Sequence, residues 1–145
     1  MRAFALTDFD SAPTLVDLPV PEPAEGEVRV RIAAASVNGF DLSVANGRLK
    51  DMMEHRLPVV LGKDFAGTVD AVGAGVDDYR VGDPVFGVVT KPYLGDGSFG
   101  EYVVLPTEIG IAHLPEGIDL VEAAEVVVGK GIRADVDGAE VTVGS

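Results

Sequence analysis

Residues Pro58-Val59-Val60-Leu61-Gly62-Lys63-Asp64-Phe65-Ala66-Gly67-Thr68-Val69-Asp70-Ala71-Val72-Gly73 carry the pattern on which the fold rests. Branched and aromatic residues fill the stretch, and glycine cuts it at 62, 67 and 73. Such a run predicts a strand that bulges, or admits another backbone closely, wherever a side chain is missing. Downstream, Val81-Gly82-Asp83-Pro84-Val85-Phe86-Gly87-Val88-Val89 predicts a tight turn followed by a strand. Upstream, Val28-Arg29-Val30-Arg31-Ile32 alternates apolar residues with arginine, which buries one face and wets the other.

Further short strands are predicted over Met1 to Thr7, Thr14 to Leu18, Ser98 to Leu105 and Ile109 to Leu114. Pro19, Pro21 and Pro23 form a stiff connector. Asn38 to Gly47 reads as a loop and a short helix, with Asn38 able to cap it and Gly47 ending it. Arg48 to Arg56 adds a helical turn before Leu57-Pro58. Asp119 and Glu122 have the spacing of a helix cap, but Val126-Val127-Val128-Gly129 favours a strand. The runs on either side of Asp137-Gly138 alternate, which signals a C-terminal β-hairpin.

Composition narrows the classes. The 145 residues are 47% hydrophobic, enough for one domain with a core. No apolar run approaches the ~20 residues of a membrane span. Met1-Arg2-Ala3-Phe4 leads directly into a strand pattern, so a cytoplasmic protein is expected. There is no cysteine, which excludes disulfides and thiolate metal sites, and His55 and His113 are far apart, so no metal is expected. Eleven basic against twenty-four acidic residues give a net charge of −13, and that field repels nucleic acid.

Three segments in order carry a family resemblance: Ala34-Ala35-Ser36-Val37-Asn38-Gly39-Phe40-Asp41; the stretch 58–73 with Tyr79-Arg80-Val81-Gly82-Asp83-Pro84-Val85; and Gly97-Ser98-Phe99-Gly100-Glu101-Tyr102-Val103 with Leu114-Pro115-Glu116-Gly117. Together they resemble the GroES-like, substrate-side domain of zinc-independent medium-chain dehydrogenase/reductases of the quinone oxidoreductase type. The resemblance implies a mainly β fold: a partly open barrel with one or two short helices, here over residues 1–125. The zinc branch of the family places a Cys near position 38 and a His-Glu pair at 63 and 64. This sequence has Asn38 and Lys63-Asp64, so the zinc ligands are missing.

In a complete enzyme of this kind the resemblance implies Asn38, Asp41 and Lys63 as cofactor-side residues and NADPH as hydride donor. Each has a plainer reading: Asn38 as a helix cap, Asp41 as a solvated helix charge, Lys63-Asp64 as a surface ion pair. His55 is expected to face solvent, and Tyr93 and Phe99 to pack at the barrel rim. Residues 126–145 form a second unit, expected to pack on the first as a hairpin. Residues 128–145 resemble a hairpin of the nucleotide-binding domain of heavy-metal-transporting P-type ATPases, which suggests a fused or engineered chain whose hairpin closes the barrel edge.

No strand–GxGxxG–helix unit follows Gly117, and the Rossmann cofactor domain of the family is absent from the sequence. The first reading is therefore a domain that does not catalyse alone. A second is an oxidoreductase completed by a partner chain. A third is a small nucleotide-binding module using Gly129 to Gly131. A homo-oligomer through an exposed barrel edge is compatible with the first two.

Overall fold

The stretch 58–73 folds as two strands rather than one. Val59–Val60 joins a sheet with the N-terminus, while Asp64–Val72 runs through the middle of another. The chain passes between the two sheets at Gly62, whose φ is +99°. A Cβ there would fall against Ser98 Oγ and 2.5 Å from Phe99 Cδ1. Only glycine meets both demands.

The computed structural model describes the backbone of residues 1–123, 126–127, 131–136 and 139–143, and the side chains of residues 1–123. In chain order the elements are β1 (Arg2–Leu6), β2 (Thr14–Asp17), β3 (Glu27–Ala34), α1 (Gly39–Ala45), β4 (Glu54–His55), β5 (Val59–Val60), β6 (Asp64–Val72), β7 (Pro84–Val88), β8 (Tyr93–Leu94), β9 (Tyr102–Pro106), β10 (Ile111–His113), α2 (Leu120–Ala123), β11 (Val126–Val127), β12 (Gly131–Val136) and β13 (Ala139–Val143).

An antiparallel sheet has the order β10-β7-β6-β3-β9, and a smaller one has the order β2-β1-β5. A bridge between Ala3 and Gly100 ties them together. This is the β-rich, partly open arrangement that the resemblance implies. In β3, Val28 and Val30 are fully buried and meet Phe65, Val69, Val85, Val103 and Leu105 in the main core. Burying side chains of this size contributes about 1.5–3 kcal/mol each. On the opposite face Arg29 pairs with Asp70 at 2.8 Å. The first four residues of β6 are buried on both faces, because Ala66 packs on Phe86 and Ala123 of α2 while Phe65 enters the main core. That two-sided burial draws the charged Asp64 inside.

Three expectations need correction. Arg48 to Arg56 contributes turns and then β4, which pairs parallel with β8. The strand expected from Ser98 begins only at Tyr102, because Ser98 and Phe99 are used to close the Gly62 corner, where Ser98 N and Phe99 N donate to Gly62 O and Leu61 O. His55 is half-buried, with Nδ1 at 2.9 Å from Met53 O and its ring edge-on to Phe9.

At the C-terminus β12 and β13 pair antiparallel, with Val136 opposite Ala139, and β11 adds to β12. The alternating runs thus pair as predicted, while Asp137, Gly138 and Gly129-Lys130 lie outside the described residues. Among the described residues, β11 to β13 form a sheet of their own and share no ladder with the larger sheet whose edge the hairpin was expected to close. No helix among the described residues is long and apolar enough to cross a membrane.

Candidate active site

Asn38 is the N-cap of α1, with φ −101° and ψ 147°. Its Oδ1 accepts from Phe40 N at 2.9 Å, and Asp41 Oδ2 accepts from Asn38 N at 2.8 Å. The two bonds satisfy opposite orphan amides of the first turn, as a reciprocal capping box does. The remaining amide group of Asn38 donates from Nδ2 to Asp64 Oδ2 at 3.1 Å, fastening the helix start to β6. Below the clamp, Ser98 Oγ donates to Asp64 O at 2.8 Å. Asn38, Asp41, Asp64 and Ser98 are all buried.

Burial dominates the electrostatics. It raises the Asp41 carboxyl to about 6, with the Asn38 amide and Lys63 pulling the other way and Asp64 adding to the rise. It also raises the Asp64 carboxyl, against the opposing effects of the Asn38 side chain and Lys63. Asp64 Oδ1 has no hydrogen-bond partner among the described residues. Two buried carboxyls sharing one asparagine hold protons more readily than exposed ones.

A narrow cleft of about 40 Å³ opens beside the clamp, with Phe40, Asp41, Lys63, Lys91, Tyr93 and Leu94 in its wall. Lys63 Nζ lies 4.6 Å from the centre of the Phe40 ring and 3.5 Å from Val89 O. On the far side Lys91 Nζ meets Asp96 Oδ2 at 2.9 Å, and the Tyr93 hydroxyl donates to the same carboxylate. Burial alone would lower the Lys91 ammonium, but Asp96, Tyr93 and Glu27 more than offset it. Burial would likewise raise Asp96, yet the bonds from Tyr93 and Lys91 hold it below the usual carboxylate range. A second cleft, of about 420 Å³, shares Lys91 and Asp96 with the first.

The structure therefore brings Asn38, Asp41, Lys63 and Asp64 together and leaves His55 outside the cleft wall. Asp41 is no solvated helix charge: it is 4% exposed, turned back onto the helix cap, where it accepts from Asn38 N. Lys63 and Asp64 do not form a surface pair, since Asp64 points inward to Asn38 and Lys63 outward to the cleft. Tyr93 does more than pack: its ring carries the Arg56 guanidinium at 3.5 Å. Phe99 packs with Leu6, Val59 and Leu61. The Lys91–Asp96 pair escaped sequence reading because nothing in a short polar loop marks it as half-enclosed.

The donors do not suit zinc. An amide at 38 and an ammonium at 63 offer a cation neither a thiolate nor an imidazole, and Lys63 would repel it. No group of three or more metal-ligating side chains assembles among the described residues.

Comparison with known proteins agrees with the fold. Residues 24–116 match the alcohol dehydrogenase GroES-like domain, and the chain belongs to that family. It is 31% identical over 113 residues to the chloroplast envelope quinone oxidoreductase homolog of Arabidopsis thaliana, covering 78% of this chain and 33% of that protein. Among solved structures, the quinone oxidoreductase from Coxiella burnetii superposes with a TM-score of 0.74 at 29% identity, covering 88% of this chain and 41% of the other. The mycobacterial protein Rv1454c, solved with NADPH, superposes with a TM-score of 0.72 at 28% identity, covering 88% and 38%. The chain thus spans about a third of the length of the plant relative. The resemblance of residues 128–145 to an ATPase hairpin gains no support from these relatives.

Proposed function

We propose that this chain forms the acceptor-side wall of an NAD(P)H-dependent reductase of quinones or activated alkenes, and that it transfers no hydride by itself. The observation that carries this reading is the cleft: Asp41 and Lys63 line one opening, with Asn38 bonded to Asp64 behind it, in a domain whose relatives include quinone oxidoreductases. NADPH bound to a similar structure supports a reduced nicotinamide as the donor.

Hydride transfer needs donor and acceptor carbons within ~3–3.5 Å, held by both halves of a cleft. In this family type the diphosphate of the nicotinamide is gripped at a Gly-rich turn before a helix N-terminus. The wall described here supplies the other half. Asn38 and Asp41 are committed to the helix cap, so their part is to hold the wall in place. Lys63 is the group that reaches into the cleft.

The test is direct. The purified chain is mixed with NADPH and 1,4-benzoquinone, and nucleotide oxidation and fluorescence are followed. Neither turnover nor micromolar binding is expected. Turnover by the chain alone overturns the proposal that it transfers no hydride by itself.

A further inference from the structure

We infer that Lys63 binds the acceptor's oxygen and stabilises the negative charge that collects there during reduction. The inference rests on the reductase reading above.

The geometry leaves this ammonium without a close ion pair, although Asp41 and Asp64 feel its charge from a longer distance. Gly62 turns the chain into the cleft, and Val89 N donates to Lys63 O at 2.8 Å, so the residue is pinned at its own backbone. Its side chain is left with one long bond, to Val89 O, and the face of Phe40. Among the described residues no carboxylate stands in ion-pair range of it. By contrast, Lys91 is held by Asp96, Arg29 by Asp70 and Arg56 by Glu54. An ammonium carries three donors, so Lys63 has capacity unspent. The cleft that Lys63 lines holds about 40 Å³, room for a small polar group, which suits the oxygen end of an acceptor and not the whole of it.

The chemistry balances. Hydride from a reduced nicotinamide adds to the β-carbon of an α,β-unsaturated carbonyl compound. The alkene pair moves between the α-carbon and the carbonyl carbon, and the carbonyl pair moves onto oxygen, giving an enolate that accepts hydrogen bonds from Lys63 Nζ. Water then delivers a proton to the α-carbon, the carbonyl re-forms, and the nicotinamide is left oxidised. Stabilising the oxyanion is the step in which fixed donors contribute most.

The experiment needs no cofactor. 4-Nitrophenol, whose anion resembles an enolate oxygen on a flat body, is titrated into the full chain across pH and followed by absorbance. Phenolate is expected to bind about ten-fold tighter than phenol, lowering the probe's apparent pKa by about one unit. Lys63→Met, and Lys63→Gln as a second variant, should erase that preference with an unchanged circular dichroism spectrum. Lys91→Met should retain most of it. No binding to the wild type, equal binding of phenol and phenolate, or a preference that survives both Lys63 variants overturns the inference. Because the probe is never reduced, the two readings fail separately: turnover of NADPH and quinone by the chain alone would overturn the proposed function, while a Lys63-dependent preference for phenolate would still keep the oxyanion site.

Discussion

Asn38 Nδ2 donates to Asp64 Oδ2 at 3.1 Å, and this one bond joins the first turn of α1 to the buried start of β6. The same asparagine caps the helix with Oδ1 and with its backbone amide. One side chain thus sets both the register of the helix and its seat on the sheet, and the Phe40 ring beneath Lys63 follows from it.

Asn38→Ala should therefore cost more than a lost cap. Removing an N-cap side chain costs about 1 kcal/mol, and leaving a buried carboxylate oxygen without its donor adds about 1–3 kcal/mol. A loss of roughly 2–4 kcal/mol in urea unfolding is expected. A loss no greater than that of an ordinary surface cap would show that the bond to Asp64 contributes nothing.

Asp41 gives a pH signature. Its carboxyl stands at about 6 in the folded chain, above the ordinary 3.8 that an unfolded chain approaches. The folded state therefore binds the proton more tightly, and the group's contribution is full below the lower value and is lost as pH rises through the upper one. Asp41→Asn keeps an acceptor for Asn38 N without the charge. Relative to the wild type, the variant should gain stability between about pH 4 and pH 7, by at most roughly 3 kcal/mol. Urea unfolding across that range checks it; a difference that does not change with pH contradicts the assignment.

Gly62→Ala meets two penalties at once. The backbone sits at φ +99°, and the new methyl collides with Ser98 Oγ and Phe99. Strain of that kind costs of order 1–3 kcal/mol before the clash is counted. A melting temperature lowered by several degrees is expected, with the fold retained or lost according to the margin. An unchanged melting temperature would mean that the corner relaxes freely.

Much of the scaffold could be read from the chain because its signals are local. The alternation in Val28 to Ile32 appears as buried Val28 and Val30 beside outward Arg29. Asn38 and Gly47 mark the helix because cap chemistry depends on a few adjacent residues. The pairing of β12 with β13 follows from alternation on both sides of Asp-Gly. What escaped was non-local. The carboxylate of Asp41 looked solvated, yet it is buried and feels the charges of Lys63 and Asp64, which are distant in sequence. Strands β4 and β8 have two residues each, too few to show a period, and their pairing emerges only when two loops meet. The inward turn of Asp64 depends on packing over both faces of β6, which no single-face pattern reveals.

The corner at Gly62 separates what is structural from what is chemical. Because the main chain alone bends the path there, the next position is delivered to the opening whatever side chain it bears. A chain built this way can trade one reagent for another at 63, an imidazole for an amine or a thioether for either, without rebuilding the walls. Diversity of chemistry on a constant frame then needs no more than a change of one codon.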